Sequence, residues 1–582
     1  MTDTREVPIE SLVVADFGRG TSRAYLLEAI SGAFRFVAKA EHRTTTDLPY
    51  EDLSQGWYAL LRQLEWASGR GLTVRDRLAV PQLASGDGVD GLLISASLGE
   101  PIRIAILEAG QSAVAGPVLD ALRRVHTRVF HAAAPSSRKD GGWAATQADA
   151  LRSFQPEMAL LIVGAGAQDA MPRLLQLAKQ IGVIGTVSRA IVIADGQAQE
   201  QGVAALGSKL KVRSISPVVR APADIAQEIE RELGEAFQIR LRTSDFDDIA
   251  EDAMQAPISR AHAVDLVNRF IARAFKRQVL TIGIDDGTHV HWAAGDQGAI
   301  SALPQVDLAT SMSGLTSRDV ADATCWLPFE ISEDELITWA LNRSIRPWTI
   351  AEQPRDLAIE QAMARQVARR AIAEISRAQP MALSGVDLVI GGPAFARWNQ
   401  PGAAALALLD SLDVVPNNGV VDLALDPDGL MSVAGIVGTI DPNLASSLFE
   451  YDALTHLGSA IVIGGATSPG DVACRGELHF DSGEMAQFSV LSGTVEVIPL
   501  STGETATIVL RPERKFSVGG HPAGKTVTLA EERRIIGGTV GVIIDARPRS
   551  LATNGNRAAQ VRQWFEAVNG IRGTTAVRKT AG

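Results

Sequence analysis

Cysteine is nearly missing from this chain: Cys325 and Cys474 are the two among 582 residues. Two thiols this far apart make neither a disulfide framework nor a zinc-ligand pattern. A reducing, cytoplasmic setting is therefore expected. Long apolar runs are missing too. No stretch reaches about 18 uninterrupted apolar residues, so no transmembrane helix and no membrane insertion are expected. Met1 to Ile9 is polar and acidic, unlike a secretory signal. Positive charge is in deficit, with 55 Lys and Arg against 67 Asp and Glu and a net charge of −12. That balance excludes general binding to nucleic acid or to anionic membranes. The exception is Arg557 to Gly582, where Glu566 is the lone acid; a solvated C-terminal stretch accounts for it.

The remaining composition is that of a globular protein, and the length suggests roughly three or four domains. Strand and helix patterns alternate through the first part. Leu12 to Ala15, Tyr25 to Glu28 and Phe34 to Ala38 read as strands, and Leu53 to Ala67 as an amphipathic helix. Gly91 to Ser97, Ile102 to Leu107, Leu160 to Val163 and Ile191 to Ala194 read as further strands, with helices between them. Val279 to Ile284 and Leu388 to Ile390 read as strands, each leading into a glycine turn. Ile359, Met363, Val367, Ala371 and Ile375 repeat every four residues, which predicts a helix near Leu357 to Ile375. From about Arg475 short alternating strands take over, which reads as a small all-β domain. The expected organisation is a first lobe over 1–279, a second over 280–474, a β domain over 475–548, and a helix and tail over 549–582. No internal repeat is evident.

Four glycine turns follow predicted strands. The first is Asp16-Phe-Gly18-Arg-Gly20-Thr21-Ser22-Arg23. Glycine lets backbone N–H groups approach a phosphate, an acid can hold a hydrated Mg²⁺, and a cation can pair with phosphate oxygens. A plain Gly-rich hairpin satisfies the same pattern. The second, Gly164-Ala-Gly166-Ala-Gln-Asp169, resembles a dinucleotide fingerprint. Asp169 stands where the third small residue belongs and would repel a pyrophosphate, so a structural turn is favoured. The third is Asp285-Asp286-Gly287-Thr288, in which either acid could position a metal or a water. His289 and His291 follow on one side of a strand, with no third metal ligand in view. The fourth, Gly391-Gly392, would let an adenine or ribose lie against the backbone. No Ser/His/Asp or Cys/His arrangement stands out.

In this order the pieces resemble the glutamate mutase L family, also called methylaspartate mutase accessory protein, of the actin/Hsp70/sugar-kinase ATPase fold. The resemblance runs from about Leu12 to Pro548. It rests on VVADFGRGTSRAYLLE, LLIVGAGAQDAMPRLLQLAKQIG, WLPFEISEDELITWALNRSIRPWTI and PGAAALALLDSLDVVPNNGVVDLALDPDGLMSVAGIV with the following DALTHLGSAIVIGG. It implies a two-lobed actin-like α/β fold with a C-terminal all-β domain, and ATP with Mg²⁺ held between the lobes. Asp16 would hold the metal's water shell, and Gly18, Gly20, Thr21, Ser22 and Arg23 would form the first phosphate loop. Gly164, Gly166, Gly287, Thr288, Gly391 and Gly392 would line the nucleotide, and Asp285 or Asp286 would orient the attacking water.

The resemblance also implies a chaperone or reactivating role for a cobalamin-dependent mutase. The sequence departs from the family at several of these positions. Arg23 replaces a Lys, and Ile282 and His289 stand where the second loop carries acids. Those departures raise an alternative, a pseudo-ATPase scaffold of the same fold without nucleotide turnover. A small-molecule kinase and a dinucleotide-dependent enzyme rank below both.

Overall fold

The computed structural model describes residues 9–136, 142–285, 287–303, 317–345, 349–378, 382–412, 416–417, 419–465, 468–529, 534–548, 557–570 and 577–580. The chain divides into two compact units. One holds 12–24 and 40–262, the other 1–11, 25–39 and 263–582. The division between the larger blocks falls after His262.

The first sheet is built from β1 (Ser11–Phe17), β2 (Thr21–Ile30), β3 (Ala33–Arg43), then, after helix α1 (Leu53–Ser68), β4 (Gly91–Ala96). All seven residues of β1 are buried, as expected of a central strand covered on both faces. Helix α1 is delimited by its own sequence. Asp52 accepts a hydrogen bond from the Ser54 N–H at its start, and Gly69 closes it at φ 70°. Leu53, Trp57, Leu60, Leu61 and Leu64 form its buried stripe.

A second sheet is inserted next. Its strands are β5 (Ile102–Ala109), β6 (Thr127–Ala134), β7 (Met158–Val163), β8 (Arg189–Ile193) and β9 (Lys211–Ile215). All neighbours in it are parallel, in the order β9-β8-β7-β5-β6. Leu107, Leu161, Leu174, Leu177 and Val192 belong to the core it builds with its helices. The chain then returns to the first sheet through β10 (Ile258–Ser259), parallel to β4. The first sheet thus has the order β10-β4-β1-β2-β3. Helix α2 (Arg260–Ala274) leads out of β10.

The second unit repeats this plan. Strands β11 (Gln278–Gly283), β12 (Thr288–Ala294) and β13 (Gln297–Leu303) are antiparallel neighbours. After helix α3 (Pro354–Ala378), β14 (Leu388–Gly391) lies parallel to β11. After helix α4 (Pro401–Leu412), β15 (Val420–Leu425) lies parallel to β14. The order β13-β12-β11-β14-β15 matches β3-β2-β1-β4-β10 strand for strand. The repeat lies in topology alone, because packing constrains which positions are apolar more tightly than which residue fills them.

Strand β15 is followed by helix α5 (Leu430–Val437) and by β16 (Thr455–Gly464), which pairs antiparallel with it. The strands beyond 470 divide between two sheets. Val472–Phe480, Glu484–Leu491 and Thr505–Pro512 pair in a separate antiparallel sheet. Val495–Ile498 and Val542–Asp545 instead extend the α/β sheet beside β16. Period-two alternation marks a strand but not its partner. A buried ion network ties this region to the helices: Arg365 pairs with Asp410 at 3.1 Å, and Arg547 with Asp410 at 2.8 Å and Asp545 at 2.9 Å.

Candidate functional site

In a parallel sheet, ligand sites form beyond the carboxyl ends of the strands, where the strand order reverses. In the first sheet this edge is the end of β1, β4 and β10. Register sets Asp16 abreast of Ser95, and Ser95 abreast of Ile258. The Asp16 carboxylate is 2% exposed and fully engaged. Oδ1 accepts from the Ser95 hydroxyl at 2.8 Å. Arg260 Nε donates to Oδ1 at 3.0 Å and to Oδ2 at 2.8 Å.

The adjoining turn is equally committed. The Gly18 N–H bonds the Thr21 carbonyl at 3.1 Å, and the Thr44 N–H bonds the Gly20 carbonyl at 3.0 Å. Thr44 Oγ1 donates to the Gly18 carbonyl at 2.7 Å and lies 2.8 Å from Ser22 Oγ. Arg23 is buried, and its Nε reaches Glu41 at 3.0 Å.

This differs from the role read from the sequence, in which Asp16 carried a metal's water shell. A Mg²⁺ ion does not fit this arrangement. Both oxygens of the carboxylate already face a guanidinium, and breaking a buried pair by removing one partner costs about 3–5 kcal/mol. Among the described residues, no group of three or more His, Cys, Asp or Glu is placed to hold a metal. Arg260 and Thr44 carried no signal near the glycine turn; Arg260 lies 244 positions from Asp16.

Gly164 and Gly166 are placed elsewhere, at the end of β7 in the inserted sheet. The Ala165 N–H bonds the Gln111 carbonyl at 2.8 Å, and the Gln111 N–H returns to Ala165 at 2.8 Å. A Cβ on Gly164 would stand 2.0 Å from the Gln111 carbonyl oxygen. This glycine is required by two backbones in contact. The sheet order, counted from β5 as 2-1-3-4-5, also differs from the order 3-2-1-4-5-6 of the usual dinucleotide fold.

The remaining predicted residues converge at the carboxyl edge of β11, β14 and β15. Ile282 pairs with Gly391, and the Gly392 N–H bonds the Ile282 carbonyl at 2.8 Å. A Cβ on Gly392 would lie 3.4 Å from Gly283 Cα and 3.8 Å from Asp285 Oδ2. Asp285 therefore sits beside Gly392, and the half-exposed Arg397 donates to it at 2.9 Å. Gly287 is buried with φ 108°, and Thr288, also buried, opens β12. Asp286 lies outside the described residues. His289 and His291 stack with ring centroids 6.3 Å apart.

Asp426, which follows β15, was not singled out by the sequence. Its carboxylate accepts the N–H groups of Gly429, Leu430 and Met431 at 2.9, 2.7 and 2.9 Å, closing the start of α5. Burial pushes its pKa up to about 7, against the pull of those three bonds, and the charge of Asp428 adds to the rise. A helix-start pattern, acid–Pro–Asp–Gly before an apolar run, was the available signal.

A cavity of about 320 Å³ lies elsewhere in the first unit. Glu51, Asp52, Trp57, Tyr58, Asp245 and Asp252 are among its lining residues, and none of the predicted site residues is.

No protein-family model matches the chain, and neither does any curated protein. Solved structures that align with it include a ROK family glucokinase from Streptomyces griseus in complex with glucose and AMPPNP. It is 10% identical over 74% of this chain and 98% of that one, at a TM-score of 0.27. A xylulose kinase from Bifidobacterium adolescentis is 9% identical over 78% and 96%, also at 0.27. The Aquifex aeolicus PPX-GPPA enzyme is 9% identical over 75% and 82%, at 0.18. The duplicated strand order is that of an α/β protein with the actin-like plan of two like-ordered sheets, followed by antiparallel strands. Among the described residues, no helix is long and apolar enough to cross a membrane.

Proposed function

We propose that this chain is an accessory protein of the glutamate-mutase-L type that works as a scaffold, without metal-dependent ATP turnover at Asp16. The observation that carries the reading is the buried Asp16–Arg260 pair with its Ser95 hydrogen bond. Fold alone does not fix function, so the weight rests on this site. Hydrolysis on the family's plan needs an acid free to order a hydrated cation, and here that acid neutralises an internal arginine. The partner in this reading is a cobalamin-dependent mutase.

A second reading, an accessory ATPase, is favoured by one observation: Asp285 lies beside Gly392 at the edge where β11 and β14 end. In that reading Asp285 orients water and Gly391-Gly392 face the base or ribose.

The deciding experiment is ATP hydrolysis by the purified full-length chain with and without Mg²⁺, paired with co-purification against a cobalamin-dependent mutase. No Mg²⁺-dependent turnover together with a stable complex is the expected result. Mg²⁺-dependent turnover by the wild-type chain overturns the scaffold reading and supports the second.

A further inference from the structure

We propose that the Arg260 guanidinium is an internal cation standing in place of a divalent ion, and that removing it opens a divalent-cation site at Asp16 and Ser95. The inference rests on the reading of this edge as a former phosphate loop.

A carboxylate 2% exposed must be paired or pay heavily for desolvation. Two kinds of cation could pair with Asp16, and the chain supplies one of them covalently. Arg260 is the first residue of α2, where the positive end of the helix dipole disfavours a cation. The helix start therefore disfavours this guanidinium, whereas the Asp16 carboxylate favours it. Its Nε is shared between both carboxylate oxygens at 3.0 and 2.8 Å, so it covers the carboxylate as a single charge centre. The Ser95 hydroxyl, 2.8 Å from Oδ1, adds a second hard oxygen at the same place. Carboxylate and hydroxyl oxygens suit Mg²⁺ or Mn²⁺, which complete their shell with water. Two protein ligands predict a weak site. In the wild-type chain the place is filled, so a phosphate-bearing ligand at this edge would bind without a metal at Asp16.

The test uses the full-length chain and Mn²⁺ alone as probe, read by electron paramagnetic resonance and by thermal unfolding. Wild type is expected to show no Mn²⁺ uptake that depends on Asp16. Arg260→Ala is expected to take up a single additional Mn²⁺ and to gain thermal stability from it. Asp16→Asn/Arg260→Ala is expected to do neither. If Arg260→Ala does not fold, Arg260→Gln, which keeps much of the side-chain volume, takes its place. A folded Arg260 variant that binds no more Mn²⁺ than wild type overturns the proposal. So does wild-type uptake that is lost in the double variant. ATP turnover by wild type would sink the scaffold reading and leave the Mn²⁺ result standing, so the two failures are distinguishable.

Discussion

Gly435 lies against the backbone of Ala263: a Cβ built on Gly435 would stand 1.8 Å from the Ala263 carbonyl oxygen. Helix α5 therefore meets α2 backbone to backbone, with no space for a methyl group. Gly435→Ala must separate the two helices. Overpacking of this kind costs about 1–3 kcal/mol. The urea midpoint of the full-length chain should fall by a corresponding amount. An unchanged midpoint would mean that the contact is not close in solution.

Much of this architecture was legible in the sequence and part of it was not, for identifiable reasons. The buried run of β1 and the four-residue repeat of α3 showed themselves locally, because burial on a strand or a helix stripe leaves a pattern within a few residues. The separation of Val495–Ile498 and Val542–Asp545 from their neighbours did not, since choice of sheet is a long-range property. The same holds for the candidate site. The turn after Asp16 was visible, but its meaning depends on Arg260, which no local pattern places beside it. Gly164 is the reverse case. Close approach of two backbones demands the same residue as close approach of a phosphate, so the motif read the same either way.

Asp426 should make the chain less stable as the pH rises toward neutral. Burial raises its folded pKa to about 7, from an ordinary value of 3.8. Between those two values the folded state holds a proton that the unfolded state has lost. The contribution is thus fully present below the unfolded pKa and is lost as the pH rises through the folded one. The shift is worth a few kcal/mol in order of magnitude, at about 1.4 kcal/mol per unit. Asp426→Asn should flatten this part of the profile, read as urea midpoints across the acid to neutral range. A profile identical to that of wild type would show that the three N–H bonds from Gly429, Leu430 and Met431 outweigh burial.

His126 should act in the opposite sense. Burial lowers its pKa to about 4 from 6.5, only partly opposed by the Gly99 carbonyl 3.2 Å from its Nε2. The folded state keeps the ring neutral where the unfolded state protonates it. Stability from this group is therefore lost as the pH falls from about 6.5 to 4. His126→Gln should reduce acid sensitivity in that window, measured by the same midpoints. Nuclear magnetic resonance titration of the ring offers a direct check, and an ordinary pKa would refute the account.

Gly164→Ala separates a structural glycine from a ligand-binding one. Its Cβ would meet the Gln111 carbonyl oxygen at 2.0 Å and the Gln111 carbonyl carbon at 2.3 Å. Both atoms are backbone, so neither can swing away as a flexible side chain would. The paired Gln111 and Ala165 hydrogen bonds should open, which loosens the ends of β5 and β7 together. Gly166 nearby differs. It has φ 73° and open space around its Cβ position, so Gly166→Ala should cost only the backbone strain of that region, about 1–2 kcal/mol. If Gly164 served a phosphate, its substitution would spare stability and abolish ligand binding. On the packing account it lowers stability by more than Gly166→Ala does, and hydrogen exchange accelerates at the Gln111 and Ala165 amides first. Unchanged exchange at those amides in a folded Gly164→Ala protein would rule that account out.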